Sequence, residues 1–281
     1  MAPVQHPSFD LVVATVDRTE ELERLLQSLE RQTHPGFRIL LVDQNDDDRL
    51  SPILARHLAL NVERLETKRG LSRARNAALP LIDAELVAFP DDDCVYPSDL
   101  LERVAARFTA DPSLGGITGR PIDEHGGSSR TWPLEAAEIT RHNLWHRSIS
   151  FTIFLRAAAV AAVGAFDEEL GLGSGRLSSS GEETDFLVRA LDAGVRIEYD
   201  PELVVIHEDK PLTPAALKSA GVRQGASIGY ILRKHRYPPA TIMRMLVRPL
   251  GGTVLALARR DRARAAFHLS TLRGRLRGYR G

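Results

Sequence analysis

Short apolar runs and longer amphipathic stretches take turns along the first hundred residues. Phe9-Asp-Leu-Val-Val-Ala-Thr15 is a valine-rich run of strand length. Arg18 to Gln32 follows, with leucines at 22, 25, 26 and 29, the spacing of one helix face. Phe37–Asp43 reads as a second strand, Leu50–Leu60 as a second helix and Val62–Leu65 as a third strand. Gly70–Leu79 predicts a helix opening on a glycine turn, Leu86–Phe89 a fourth strand, and Pro97 the start of a helix reaching Phe108. Four such alternations predict an α/β fold, with a mostly parallel, Rossmann-like sheet flanked by helices. Ligands of such sheets collect beyond the carboxyl ends of the strands, where Thr15, Asp43 and Asp91 stand.

Beyond residue 115 the alternation loosens. Gly116–Gly119 predicts a strand, Pro121–Pro133 a polar loop, Leu134–Trp145 a helix and Ser148–Leu155 a strand. Residues 170–181 are rich in glycine and serine, which predicts a loop. Glu182–Ala193 reads as a helix stopped by Gly194. Arg196–Tyr199 and Leu203–Ile206 read as two short strands, ending at His207. From Pro214 the pattern is helical and basic. Residues 1–210 are therefore expected to form one body and residues 211–281 a helical C-terminal extension.

Composition sharpens that division. The 281 residues are 43% apolar and 26% charged, enough for a packed core and unlike a disordered chain. Lys+Arg and Asp+Glu are both 37, but the balance conceals a split. Residues 211–281 hold 15 Lys/Arg and a single acid, Asp261, which leaves 22 basic and 36 acidic residues in 1–210. Such a field draws anions to one end of the chain. The lone Cys94 excludes an intrachain disulfide and a thiolate-rich zinc site. Met1–Ser8 lacks a basic region followed by an apolar stretch, and no unbroken apolar run approaches ~18 residues. The expectation is a reducing cytoplasmic location without a membrane span.

Four clusters carry candidate chemistry, each with a plainer reading beside it. Asp91-Asp92-Asp93 follows an apolar strand, and three adjacent carboxylates need a counter-charge such as a hard divalent cation bridged to phosphate. A solvated acidic turn would look the same. Lys68-Arg69-Gly70-Leu71-Ser72-Arg73-Ala74-Arg75-Asn76 sets four cations around a helix start, which suits an anion or simply a solvated helix face. Gly181-Glu182-Glu183-Thr184-Asp185 offers carboxylates for proton transfer, or plain helix capping. His207, followed by Glu208-Asp209, offers a ligand nitrogen or a structural ring.

In this order and spacing the clusters resemble the inverting family 2 glycosyltransferases of the A-type nucleotide-sugar fold. The resemblance covers residues 8–210. Its carriers are Val-Val-Ala-Thr-Val-Asp-Arg at 12–18, Leu-Val-Asp at 41–43, Gly-Leu-Ser-Arg-Ala-Arg-Asn at 70–76, Phe-Pro-Asp-Asp-Asp at 89–93, Val-Gly-Ala-Phe-Asp at 163–167 and Gly-Glu-Glu-Thr-Asp at 181–185. It implies a nucleoside-diphosphate sugar as donor and Mg²⁺ or Mn²⁺ as cofactor. The implied acceptor is a glycan or lipid-linked hydroxyl in cell-surface polysaccharide or glycolipid assembly. Thr15, Asp17 and Asp43 would hold nucleobase and ribose, and Arg69, Gly70, Arg73 and Asn76 would line the nucleotide. Asp91, with Asp92 beside it, would face the ribose and diphosphate. Asp93, Asp91 and His207 would be the metal ligands. Glu183 would be the general base, supported by Glu182 and Asp185. The family's base is usually aspartate, and Gln44-Asn45 replaces the acid and glycine usual after Asp43.

Other patterns are set aside. Gly225-Ala-Ser227-Ile-Gly229 matches a hydrolase elbow but lies in a helical stretch. Gly221, Gly225 and Gly229 fall four apart and instead predict close approach to another helix. Gly171-x-Gly173-x-Gly175 lacks the strand–helix context of a dinucleotide fingerprint. Trp132 and Trp145 suit either sugar stacking or core packing. The arginines at 259, 260, 262, 264, 273, 275, 277 and 280, among apolar residues from Met243 to Leu257, fit a helix on an anionic membrane surface or a cap on the acidic body. No aromatic interleaving favours nucleic acid. Two rivals stand beside the leading expectation. One is a sugar-phosphate nucleotidyltransferase, which would want a glycine-rich phosphate loop where Thr15–Thr19 stands. The other is a non-catalytic nucleotide-sugar-binding protein.

Overall fold

The alternation of the first hundred residues becomes the parallel half of a nine-stranded mixed sheet. The structure is a computed structural model, and it describes residues 7–128, 131–208 and 212–281. The segment before Pro7, and Asp209 after the last strand, lie outside the described residues. Strands β1 (Phe9–Thr15), β2 (Phe37–Asp43), β3 (Val62–Glu66) and β4 (Leu86–Ala88) run parallel in the order β3-β2-β1-β4. Their register sets Thr15 beside Asp43 and Asp43 beside Glu66. An isolated parallel bridge between Ala14 and Asp91 brings the acid triplet to the same edge.

The rest of the sheet is mixed. β8 (Ile153–Arg156) runs antiparallel to β4 and to β6 (Gly116–Ile122). β9 (Ile197–His207) pairs parallel with β6, and β5 (Cys94–Val95) and β7 (Ala137–Glu138) pair antiparallel with β9. The β5–β9 register sets Cys94 opposite His207. Residues at 91–93 and 207, more than a hundred positions apart, thereby become neighbours.

Helices flank this curled sheet because each carries one apolar face. α1 (Glu20–Glu30) buries Leu22, Leu25, Leu26 and Leu29, and α4 (Leu100–Ala110) buries Leu100, Leu101, Val104, Ala105 and Phe108. These join Leu11, Val13, Ile39, Leu41 and Phe154 in one core. The remaining helices of this part are α2 (Ser51–Leu54), α3 (Leu71–Ala78), α5 (Ala157–Val163) and α6 (Glu182–Asp192).

The chain divides into two compact units. One is drawn from Met1–Arg69, Arg73–Phe166 and Phe186–Asp209 and contains the sheet. The other is drawn from Gly70–Ser72, Asp167–Asp185 and Lys210–Gly281. It contains three long helices, α7 (Pro214–Lys234), α8 (Pro239–Ala258) and α9 (Arg262–Arg280). Thr213 and Asp261 cap α7 and α9 by accepting from the amides of Ala216 and Arg264. Gly221, Gly225 and Gly229 of α7 and Gly274 and Gly278 of α9 lie so close to the facing helix that a methyl on any of them would strike a backbone carbonyl oxygen there. The glycine spacing thus means helix contact. Ser227, in the hydrolase-like pattern, is buried in α7 and bonded to Ser180. Gly171, Gly173 and Gly175 all have positive φ and form turns.

Several elements depart from the sequence reading. The helix expected over Leu50–Leu60 is only Ser51–Leu54, and Leu58 past its end is 85% exposed. Leu134–Trp145 is not a helix: β7 is recruited by β9, and a short 3₁₀ turn at Leu144–His146 follows. Tertiary pairing overrides helix propensity there. The two last strands are one, since a register shift in β6 between Thr118 and Arg120 accommodates Pro201 of β9. α8 is long and apolar enough to cross a membrane by length and composition. Counting unbroken apolar residues hid this, because Arg244 and Arg248 interrupt the run.

Candidate functional site

The carboxyl ends of β1 and β2 carry the first group. Asp43 is buried, and Arg64 donates to its Oδ2 from Nη2 at 2.7 Å and Nε at 3.0 Å. Its Oδ1 accepts from the backbone and side-chain nitrogens of Asn45, at 2.8 and 2.7 Å. Asp43 is therefore a rigidly oriented acceptor. Asn45 in turn accepts the amide of Asp17 at 2.7 Å. Asp17 has a φ of 57°, a strained conformation for a non-glycine residue, and its exposed carboxylate meets Arg69 at 2.9 Å. Thr15 is buried at the strand end beside this pair. The turn from β2 is held by Gln44-Asn45 itself, with Gln44 donating to the Thr15 carbonyl.

The acid triplet has three different environments. Asp92 is buried and bonded to Arg18 Nη1 at 2.5 Å, and the same nitrogen reaches Asp93 at 2.8 Å. Burial outweighs Arg18 and pushes the Asp92 carboxyl above its ordinary range. Asp91 accepts from the Ser150 hydroxyl at 3.2 Å and meets Arg75 Nη2 at 3.4 Å. Arg75 is almost fully buried, with its guanidinium over the rings of Phe89 and Phe166 at 5.6 and 5.4 Å. Asp93 meets His207 Nε2 at 3.2 Å. The His207 ring stacks on Phe151, with centroids 4.6 Å apart and planes 6° from parallel.

Asp91, Asp93 and His207 can each offer one ligand atom, and those three atoms lie within 4.8 Å of one another. Two carboxylates and an imidazole make a hard, mostly oxygen donor set, which fits Mn²⁺ or Mg²⁺ better than a soft metal. Asp92 is turned away into its pair with Arg18. The sequence reading already set Asp91 and Asp93 apart, with His207, as metal ligands, but did not foresee Arg18 as the partner of Asp92. Arg18, Arg64, Arg75, Ser150 and Phe151 were not singled out. Arg18 and Arg75 sat inside quoted motifs, whereas Ser150 and Phe151 carried no local signal.

The basic turn is less uniform than its sequence. Gly70 has a φ of 140°, which only glycine adopts readily. Arg73 is exposed and donates to the Arg69 carbonyl at 3.1 Å. Asn76 spends its amide on the backbone of Phe166, accepting its N–H at 2.7 Å and donating to its carbonyl at 3.0 Å. Asn76 therefore pins the segment behind α5, and Arg75 buttresses Asp91.

The second unit holds the other acids. α6 starts at Glu182 after Gly181, whose φ is 79°. Asp185 is fully buried, with Lys234 Nζ and His235 Nε2 both at 2.7 Å from its Oδ1. Lys234 also reaches Asp167 at 2.6 Å, and Tyr230 donates to the same carboxylate at 2.8 Å. Burial raises the Asp167 pKa, but Lys234, the Glu169 amide and Tyr230 outweigh it and hold the group below its ordinary value. Glu182 is buried and Glu183 half-buried. Asp185 is fully buried and its Oδ1 is taken by Lys234 and His235, which leaves the more accessible Glu183 as the candidate base. Trp132 is buried, and Trp145 is half-buried with its Nε1 donating to the Arg141 carbonyl.

The chain folds into a mixed α/β sheet with acids grouped at its strand ends. The sequence profile described as Glycosyl transferase family 2 matches residues 10–163, more than half of the chain. The protein belongs to that family. It is 26% identical over 221 residues to the pre-mycofactocin glycosyltransferase of Mycobacterium tuberculosis, covering 73% of this chain and 43% of that protein. The chain thus spans less than half the length of this relative. It is 23% identical to glycosyltransferase AglE of Haloferax volcanii, covering 78% and 73% of the two chains. The fold matches the mannosyltransferase PcManGT from Pyrobaculum calidifontis, solved with GDP-Man and Mn²⁺. The TM-score is 0.67 at 15% identity, covering 98% and 88% of the two chains. It also matches S. aureus TarS 1–349 solved with UDP-GlcNAc, with a TM-score of 0.62 at 17% identity, covering 96% and 92%.

Proposed function

We propose that this glycosyltransferase is a metal-dependent, inverting enzyme. It would move a sugar from a nucleoside-diphosphate donor to an acceptor hydroxyl on a glycan or lipid-linked glycan of the cell surface. The observation that carries this is the grouping of Asp91, Asp93 and His207 at the strand ends of a family 2 chain. Relatives named as glycosyltransferases, and neighbours solved with GDP-Man, Mn²⁺ and UDP-GlcNAc, support it.

Each residue has a role in this reading. Asp43, fixed by Arg64 and Asn45, receives hydrogen bonds from the base or ribose, and Thr15 and Asp17 border it. Arg69, Gly70 and Arg73 attract the diphosphate at the start of α3. Asp91 faces the donor, Asp92 stands behind it on Arg18, and Asp91, Asp93 and His207 would hold Mg²⁺ or Mn²⁺. When bound, the ion neutralises charge building on the leaving diphosphate. Arg18 offsets the charge of Asp92 and Asp93. Glu183 takes the proton of the acceptor hydroxyl, whose oxygen bonds to the anomeric carbon as the bond to the diphosphate breaks. A single displacement of this kind inverts the anomeric centre. Glu182 and Asp185 fix the first turn of α6. Residues 1–210 would carry the catalysis, and 211–281 would serve as a basic extension at the inner, cytoplasmic face of the cell membrane.

The test is release of free nucleoside diphosphate from a panel of UDP-, GDP- and dTDP-sugars with Mn²⁺. Glu183→Gln is expected to lower transfer by ~10²–10⁴ while nucleotide binding persists. Turnover like that of the unmodified protein would move the base elsewhere. Release of pyrophosphate from sugar phosphate and nucleotide would instead identify a nucleotidyltransferase.

A further inference from the structure

α8 presents an apolar stripe with no covering element among the described residues. Met243, Val247, Leu250, Val254 and Leu257 are spaced four, three, four and three residues apart, so they share one face of the helix. Their exposures run from 45% to 68%. The opposite face, with Met245, Pro249 and Ala256, is buried, and α8 packs along α9. These five make up much of the large apolar surface that the described residues expose. Soluble surfaces seldom keep a contiguous stripe of this kind without a partner.

The charges around the stripe indicate which partner. Arg244 and Arg248 flank it on the same helix, and Arg259, Arg260, Arg262 and Arg264 lie at the α8–α9 turn, all of them exposed. Asp261 is the only acid from residue 212 to the end of the chain, and its side chain caps α9. A protein partner would need an apolar groove rimmed by acids. A leaflet of anionic lipid supplies both properties at once: acyl chains for the stripe and phosphates for the arginines. Crossing the bilayer is disfavoured, because Arg244 and Arg248 would lie within the hydrocarbon and the buried face is already taken by α9. The geometry points to α8 as an in-plane anchor: we propose that its Met243–Leu257 stripe inserts into the headgroup boundary of an anionic membrane, with the flanking arginines on lipid phosphates. This deepens the membrane-facing role given above to residues 211–281 and rests on it, but it does not depend on the sugar chemistry.

The test is flotation of the full chain with vesicles of phosphatidylcholine alone or mixed with phosphatidylglycerol, without nucleotide sugar. Binding is expected only to the anionic vesicles and is expected to weaken with salt. Val247→Ser, Leu250→Ser and Val254→Ser together should reduce it about tenfold or more. Arg259→Gln with Arg260→Gln should reduce it at low salt and lessen the salt dependence. Circular dichroism and nucleoside diphosphate binding, both expected to be retained, separate lost docking from lost folding or a failed donor reading. Absence of binding to anionic vesicles, or equal binding by the triple variant, overturns the proposal. So does a dimer in light scattering that the triple variant dissolves, which would assign the stripe to a second copy of the chain.

Discussion

Individual residues show how a buried charge is tolerated in an apolar strand. Asp10 lies inside β1 and is 1% exposed, yet Arg38 reaches it from Nε and Nη2 at 2.9 and 3.0 Å. The amides of Asp83 and Ala84 also donate to it, at 2.8 and 3.1 Å. Burial raises the Asp10 pKa, but Arg38 and the two amides prevail and hold it below 3.8. The folded state therefore binds this proton more weakly than the unfolded chain. Its stabilisation is present above the unfolded carboxylate pKa and is lost as pH falls through the folded one. Asp10→Asn should lose about 2–3 kcal/mol in urea unfolding near neutral pH, and the loss should shrink on acidification. Asp92 is the opposite case: it is 6% exposed and bonded to Arg18, but burial outweighs the arginine and raises its pKa, so its ionisation costs stability as pH rises. Arg18→Gln should lose about 1–3 kcal/mol, read by thermal unfolding of the metal-free protein.

At the scale of elements, α8 contains a break and its repair. Pro249 has no N–H, so the Met245 carbonyl four residues earlier lacks its helix partner. Arg275 of α9 is buried and donates to that carbonyl instead. Burial first, and Arg248 second, bring the Arg275 pKa down to about 10. The two helices are thereby coupled through one guanidinium. Arg275→Met should destabilise the protein by about 1–3 kcal/mol. In a Pro249→Ala background the loss should be smaller, with a coupling of about 0.5–3 kcal/mol in a double-mutant cycle. Additive losses would refute the repair. The glycine face of α7 makes a simpler case. A side chain at Gly225 would meet the Thr271 carbonyl, so Gly225→Val should cost about 1–3 kcal/mol through forced separation of α7 and α9.

At the scale of the molecule, distant segments meet through strand order. Asp91 and Asp93 follow β4, and His207 ends β9, the strand that β5 joins. An ion on these three groups would tie together parts of the sheet that are far apart in sequence. Mn²⁺ at a hundredfold excess over its Kd should therefore add about 2.7 kcal/mol of stability. His207→Ala should largely remove that gain in a thermal shift measurement, together with metal-dependent nucleoside diphosphate release. An unchanged shift would exclude His207 as a ligand.

The parallel half of the sheet was legible in the amino-acid sequence. β1 and β2 have the bounds that their apolar runs predict, and α6 ends before Gly194 as expected. Helix periodicity and strand length are written within a few neighbouring residues, so they survive without knowledge of the fold. The acids at 91–93 and 182–185 and the histidine at 207 were visible for the same reason, as local clusters at element ends. What tertiary structure alone decided is which group each of them meets. Arg18 takes Asp92, Ser150 and Arg75 take Asp91, His207 takes Asp93, and Lys234 with His235 takes Asp185. These pairings span roughly 16 to more than 110 residues and follow from strand order and helix packing, which no local pattern encodes. β7 in place of a helix, and the exposed stripe of α8, have the same origin: which face of a segment is covered depends on what else the chain brings to it.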